Sequence, residues 1–485
     1  MGVRTRITKA IYGGLAEGEQ VDRLPAAFSI GKNINYRKTH DVITLNQRVT
    51  KDSGTVIDAL PHWIKDLQGT VYSYLQNGKI FQRISAGSWV SVKTVTASTG
   101  NGLGVDASYL YYANASFLGR FPTGGTWGVD NNDTYQNLTT ASWSPIKYFA
   151  NVDLLLVGNG GTLATYDYGA ANYSGSRLTM PRGWKIRDIE EWGDYVAISI
   201  WAGTSLRQQS QGKLVLWDGL SETFNAIVDS AAGNVQVTQS DNNSLNVLAG
   251  MIGNIYRLEN GELKQQRKIP FLNEDAGDNI EIFPGAKAVW KGIPHFGVAG
   301  VASGASFLRG VYSYGADKKG LPESLNMEYT ISEDVTSSNV KIGSLHTAQD
   351  NAFYIGWANS TTYGIDINDI TQQYATGYLE TLQFHGAGEE EGYEKAIMQA
   401  RLLTKPLTSG QSIVHKVKSN YSASFATVMT HNTANAVEMS VKQLATSSPF
   451  PRFRILQERF EFTSASGIAP ELLSGKVDYE TKLPS

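Results

Sequence analysis

The chain has 485 residues, 41% of them hydrophobic and 18% charged, too many for one core, because single cores stop growing near roughly 250–300 residues. Its net charge of −3 lacks the clustered basic excess that a nucleic-acid backbone demands, and the absence of cysteine excludes disulfides and thiolate metal sites. With 49 Gly, 24 Tyr, 17 Phe and 10 Trp, the composition favours strands and tight turns over helices.

In chain order, the basic start Met1–Lys9 has no apolar run of signal-peptide length behind it and lacks the Ser or Thr a myristoylation signal needs, since Arg6 stands there. No stretch approaches the roughly 20 apolar residues of a membrane-spanning helix. Residues 1–54 hold little periodicity, although Ala27–Ile30 and Asp41–Leu45 read as strands. They are expected to form an arm onto a neighbouring subunit or a strand that closes a ring.

From about residue 55, a hairpin of two apolar strands around a small polar turn recurs seven times. The first pairs Thr70–Leu75 with Ile80–Ile84 through Asn77-Gly-Lys, and the third pairs Asp153–Val157 with Thr162–Tyr166 through Gly158-Asn-Gly-Gly. Equivalent points at Val71, Leu110, Leu154, Val196, Val247, Phe296 and Phe353 are separated by 39, 44, 42, 51, 49 and 57 residues. Repeats of roughly 40–50 residues with four strands each are the signature of β-propeller blades. Further strands fall where that reading needs them: Ile186–Trp192, Ala286–Trp290 and Val340–Leu345 before hairpins, Trp89–Val92, Phe224–Val228 and Met327–Ile331 after them. The expectation is a propeller of six or seven blades over 55–385. Ordinary β-sandwich hairpins are the alternative, because alternation alone does not distinguish sheet architectures.

Gly386–Gly392, with Glu389–Glu391 at its centre, reads as an acidic glycine linker. Six alternating runs follow, at 396–403, 412–418, 425–429, 437–441, 453–462 and 472–479. They predict a small antiparallel β-sandwich over 386–485. The run Arg452–Phe462 has mixed faces, which a bulge or a protein contact explains.

Chemistry is sparse. Gly203-Thr-Ser-Leu-Arg and Gly304-Ala-Ser-Phe-Leu lack the second glycine of a nucleophile elbow, and no phosphate-binding Gly-x4-Gly-Lys-Ser/Thr loop occurs. The seven His, at 40, 62, 295, 346, 385, 415 and 431, have no ligand spacing. Asp130–Asp133 and Asp366–Asp369 offer oxygen ligands without the Ca²⁺ loop around them and read as Asx turns. Glu190, Glu191 and Asp194 are carboxylates that a glycoside hydrolase would have to pair in space. Gly124-Gly-Thr-Trp127 keeps only the tail of a sialidase box. Tyr111, Tyr112, Trp127, Trp143 and Trp201 would stack on sugars if they reached a propeller face, and otherwise pack between blades. The expectation is a protein that is not an enzyme, with no catalytic, cofactor or metal residue and no cofactor.

Three stretches carry a family resemblance: Asn35–Gln47, Leu60–Asp66 leading into the Tyr72–Phe81 hairpin, and Ala400–Leu407 opening the C-terminal strands. In these the chain resembles the propeller-bearing virion structural proteins of tailed bacteriophages. The resemblance implies a non-enzymatic component of a tail, in its neck, nozzle, collar or baseplate, assembled in the bacterial cytoplasm in multiple copies. Its partners would be copies of itself and other virion proteins, with neither direct nucleic-acid binding nor membrane insertion. The runner-up is a carbohydrate-binding propeller for a host-surface glycan, and after it a glycoside hydrolase.

Overall fold

In the computed structural model the described residues are 4–8, 14–15, 27–39, 42–95, 99–139, 141–168, 172–203, 211–233, 235–241, 244–270, 278–301, 309–316, 323–333, 339–385, 393–420, 422, 424–442 and 452–481. Gly386–Gly392, and the Ser205 and Ser306 of the two Gly-x-Ser stretches, lie outside them. Among the described residues the regular structure is strand, apart from one 3-10 turn at Ala150–Val152.

Seven four-stranded antiparallel sheets follow one another along the chain. Their first strands are Pro61–Leu67, Leu103–Val105, Ile146–Phe149, Trp184–Trp192, Val235–Asp241, Lys287–Trp290 and Val340–Thr347, here the inner strands of blades 1 to 7. Each of the seven expected hairpins supplies the second and third strands of its blade; in blade 3, Leu154–Asn159 pairs with Thr162–Asp167. The turn between them needs Gly160 at φ +62, a backbone region that other residues enter only with strain. The inner strands pack in sequence from blade 1 to blade 7, and the seventh packs on the first. The sheets therefore close into a ring: a seven-bladed β-propeller.

The core lies between blades rather than inside them, because a blade has two apolar faces and no partner of its own. Phe149, Leu154 and Leu156 of blade 3 meet Ile198, Val215 and Trp217 of blade 4 in one cluster. Ile64, Val71 and Phe81 of blade 1 meet Tyr354 and Ile365 of blade 7 in another. The ring is closed by an early segment. Gln47–Lys51 is the outer strand of blade 7. Just after it, Asp52 N–H donates to the Ile365 carbonyl at 2.8 Å. The Asp52 carboxylate meanwhile accepts from Arg83 (2.7 and 3.0 Å), Gly87 N–H and Trp89 Nε1–H (both 2.9 Å) in blade 1.

The chain divides into two compact units, Thr50–Val311 with Ile331–Asn368, and Met1–Val49 with Tyr312–Thr330 and Asp369–Ser485. This differs from the expected boundaries at 54/55 and 385/386. The physical reason is pairing: Ala27–Lys32 bonds Thr376–Thr381, which bonds Leu456–Thr463, and Arg4–Thr8 bonds Leu472–Thr481. Strands read as an arm and as the end of the propeller thus share sheets with the C-terminal strands.

The second unit is a sandwich. One sheet runs Ile34–Thr39, Val42–Leu45, Leu472–Thr481, Lys395–Thr404, Glu438–Lys442, and the other Gly14–Leu15, Ala27–Lys32, Thr376–Thr381, Leu456–Thr463, Ser412–Ser419, Ala426–His431. The sheets face each other closely: a Cβ on Gly475 would sit 2.6 Å from the Phe460 ring. The mixed faces of Arg452–Phe462 have a local cause, since Arg454 and Ile455 interrupt the strand between Arg452–Phe453 and Leu456–Thr463. After the break Glu458 points into the core with Leu456, Phe460 and Phe462. There it accepts from Thr8 Oγ1 at 2.7 Å and lies 3.4 Å from Arg6 Nε.

Candidate functional site

Inner strands place alternate side chains along the propeller axis, and in blade 4 this brings Asp188 and Glu190 into one cavity of about 290 Å³. Blade 1 adds Trp63 and Lys65, blade 3 Ile146 and Lys147, blade 5 Gln239, blade 6 Lys287 and Val289, and blade 7 Leu345 and His346. The cavity is thus lined from six of the seven inner strands. At another level of the axis, rings from different blades meet: His62 lies 5.0 Å from Trp143 and 5.3 Å from Phe283, and Trp143 lies 5.6 Å from Phe283. Arg187 stacks over Trp143 and Trp201 at 5.3 and 4.5 Å. The axis is filled at that level, and Gly285 is required there because a Cβ would sit 1.9 Å from the His62 carbonyl oxygen.

The charges in the cavity are organised around Lys287. Its ammonium donates to Asp188 Oδ2 at 2.6 Å and lies 2.8 Å from Glu190 Oε2, while Glu190 Oε1 accepts from Lys147 at 2.9 Å. Lys287 also donates to the Thr238 carbonyl at 2.7 Å, and Thr238 N–H donates to Asp188 at 2.9 Å. Burial alone would raise the Glu190 carboxyl, yet Lys147 and Lys287 bring it down to about 2. Burial keeps Asp188 above the usual carboxylate range despite Lys287. Burial opposes the charge on Lys287 too, but Asp188 and Glu190 outweigh it and hold its pKa above the ordinary value. Burial and then the neighbouring Lys147 lower Lys65 to about 8, and burial and Lys65 lower His346 to about 3.

The residues singled out from sequence are scattered by this arrangement. Glu190 is in the cavity but Glu191 and Asp194 are not; the carboxylate pair there is Asp188 with Glu190. Tyr111 and Tyr112 are fully buried and cannot stack on a ligand. Trp127 stacks on Phe121 at 4.0 Å, and Trp143 and Trp201 hold Arg187, so all three are packing residues. Asp130 and Asn131 accept from Thr126 and Gly128 N–H at 2.7 and 2.6 Å, and Asp133 binds Lys93 and Tyr112. Asp366 accepts from Ser332, Asn368 from Phe353 N–H, and Asp369 from Arg48. Both Asx stretches spend their oxygens on protein donors. Among the described residues no group of three or more His, Asp or Glu converges as a metal site would require.

No family model and no curated protein matches the chain. Among solved structures it is similar to the extracellular domain of the putative hybrid two-component system BT4673 from B. thetaiotaomicron, at 14% identity and a TM-score of 0.47 over 75% of this chain. The chain spans 43% of that protein's length. It is also similar to the WD40 β-propeller domain of Doa1 (10% identity, TM-score 0.41, 67% of this chain and 98% of that one) and to the Dos1 propeller (10%, 0.43, 70% and 91%).

Proposed function

We propose that the chain is a non-enzymatic structural component of a bacteriophage tail, assembled in multiple copies. The observation that carries this reading is on the sheet that holds Leu472–Thr481, where the two strands flanking it, Arg4–Thr8 and Lys395–Thr404, expose Ile7, Met398 and Leu403 at 47, 36 and 37%, with Lys476 and Arg401 in register with Ile7. Exposed apolar side chains interspersed with charged ones suit the mixed character of a protein contact. Ion pairing in the axial cavity supports the non-enzymatic part. Glycoside hydrolysis needs one carboxyl free to protonate a leaving group, and both carboxylates here are bound to Lys287.

The test is assembly competence. Leu403→Glu and Ile7→Lys are exposed changes that leave the core intact, so the purified variants keep the wild-type melting temperature. Phage carrying them incorporate the protein several-fold less well, read by quantitative mass spectrometry of purified particles. Wild-type incorporation of both would remove the support from this face.

A further inference from the structure

The axial cavity is not self-neutralised. Lys65, Lys147 and Lys287 face Asp188 and Glu190, with His346 uncharged at neutral pH, which leaves at least one positive charge over. That charge is localised. Lys147 and Lys287 are bound to carboxylates, whereas half-buried Lys65 has no ion pair or hydrogen bond among the described residues. In the same lining, contributed by blade 5, Gln239 is 3% exposed, and both its amide nitrogen and its amide oxygen are without a protein partner. His346 Nε2 is likewise unpartnered. Buried polar groups left unbonded are costly, so a cavity that gathers them favours a ligand that bonds them.

We propose that the axial cavity binds a small, singly charged, hydroxylated acid of the size of one acidic monosaccharide, its carboxylate on Lys65 and a hydroxyl on Gln239. One surplus cation matches one anionic group. A hydroxyl donates and accepts at once, as the two free ends of a Gln amide require. At about 30 Å³ per water, a cavity of 290 Å³ has the room of about ten waters, more than a bare inorganic anion fills. Val289 and Leu345 in the lining supply apolar surface for one side of a ring. This inference stands independently of the tail assignment.

The experiment is calorimetric titration of the full chain with glucuronate, with glucose and inorganic phosphate as comparisons. Glucuronate binds saturably, and both comparisons bind at least tenfold more weakly. Lys65→Gln weakens glucuronate at least tenfold without changing the melting temperature, since Lys65 anchors nothing in the fold; Gln239→Ala weakens it several-fold. In the wild-type chain, affinity falls as pH rises above about 8, where Lys65 loses its proton. The groups facing it are Lys147, Glu190, Asp188, Lys287 and His346. No saturable glucuronate binding, equal binding of glucose or phosphate, or unchanged affinity in Lys65→Gln would each overturn the proposal.

Discussion

At the scale of single residues, stability rests on a few buried charges whose partners are far away in sequence. Glu458 lies in the sandwich core against Arg6, His415 and Thr8. Burial would raise its pKa, but Arg6 and His415 outweigh burial and bring it from 4.5 to about 2. A carboxyl depressed in the fold contributes stability that is fully present above its unfolded value and is lost as pH falls through the folded one. Linkage makes that contribution about 3 kcal/mol, lost between about pH 4.5 and 2. Urea titrations of wild type should show that loss, and Glu458→Gln should be weaker at pH 7 and flatter across the acid window. An unchanged acid profile in the variant would remove Glu458 from the account. In the propeller, Lys287→Met strands Asp188 in the cavity and leaves Glu190 to Lys147 alone. Breaking a buried pair by removing one partner costs about 3–5 kcal/mol, a loss that denaturant unfolding would register directly.

At the scale of elements, blades are held by what lies between them. Trp217 is fully buried in the cluster joining blades 3 and 4, with its indole N–H on the Ser221 carbonyl at 2.9 Å. Its replacement by Ala should cost about 3–5 kcal/mol, measured as a shift in the unfolding midpoint. Asp52 couples blade 7 to blade 1 through four bonds from its carboxylate and one from its N–H. Asp52→Ala should therefore raise hydrogen exchange in Gln47–Lys51 and Ser88–Thr94 before other blades respond. Uniform protection across all blades would mean the ring closes without this clasp. The blades were legible in the sequence because each hairpin is local: two alternating strands and a Gly or Asn turn within about 20 residues. The sandwich membership of Ala27–Lys32 and Thr376–Thr381 was not, because their register with each other is set by pairing across more than 340 residues of chain. Alternation alone carries no address.

At the scale of the whole molecule, the candidate site shows the same limit. Lys65, Lys147, Asp188, Gln239, Lys287 and His346 are unremarkable in their own strands. Only the closure of seven inner strands into a ring brings them to one axis. Glu190 is legible as a carboxylate, but its partners Lys147 and Lys287 sit one blade before it and two blades after it and share no motif with it. The aromatic candidates failed for a related reason: a propeller uses large rings between blades, and composition does not say which of them reach a face. The placement of exposed Ile7, Met398 and Leu403 on one sheet also depends on long-range pairing, because Arg4–Thr8 and Lys395–Thr404 are brought to opposite sides of Leu472–Thr481. That surface is where the functional proposal can be decided. The direct measurement is cryo-electron microscopy of particles produced by a host that expresses this chain, with peptide mass spectrometry to identify it. Several symmetric copies in the tail are expected, with the outward sheet face carrying Ile7 and Leu403 covered by a neighbouring protein. Particles that lack the chain, or that leave that face in solvent, would contradict the tail assignment.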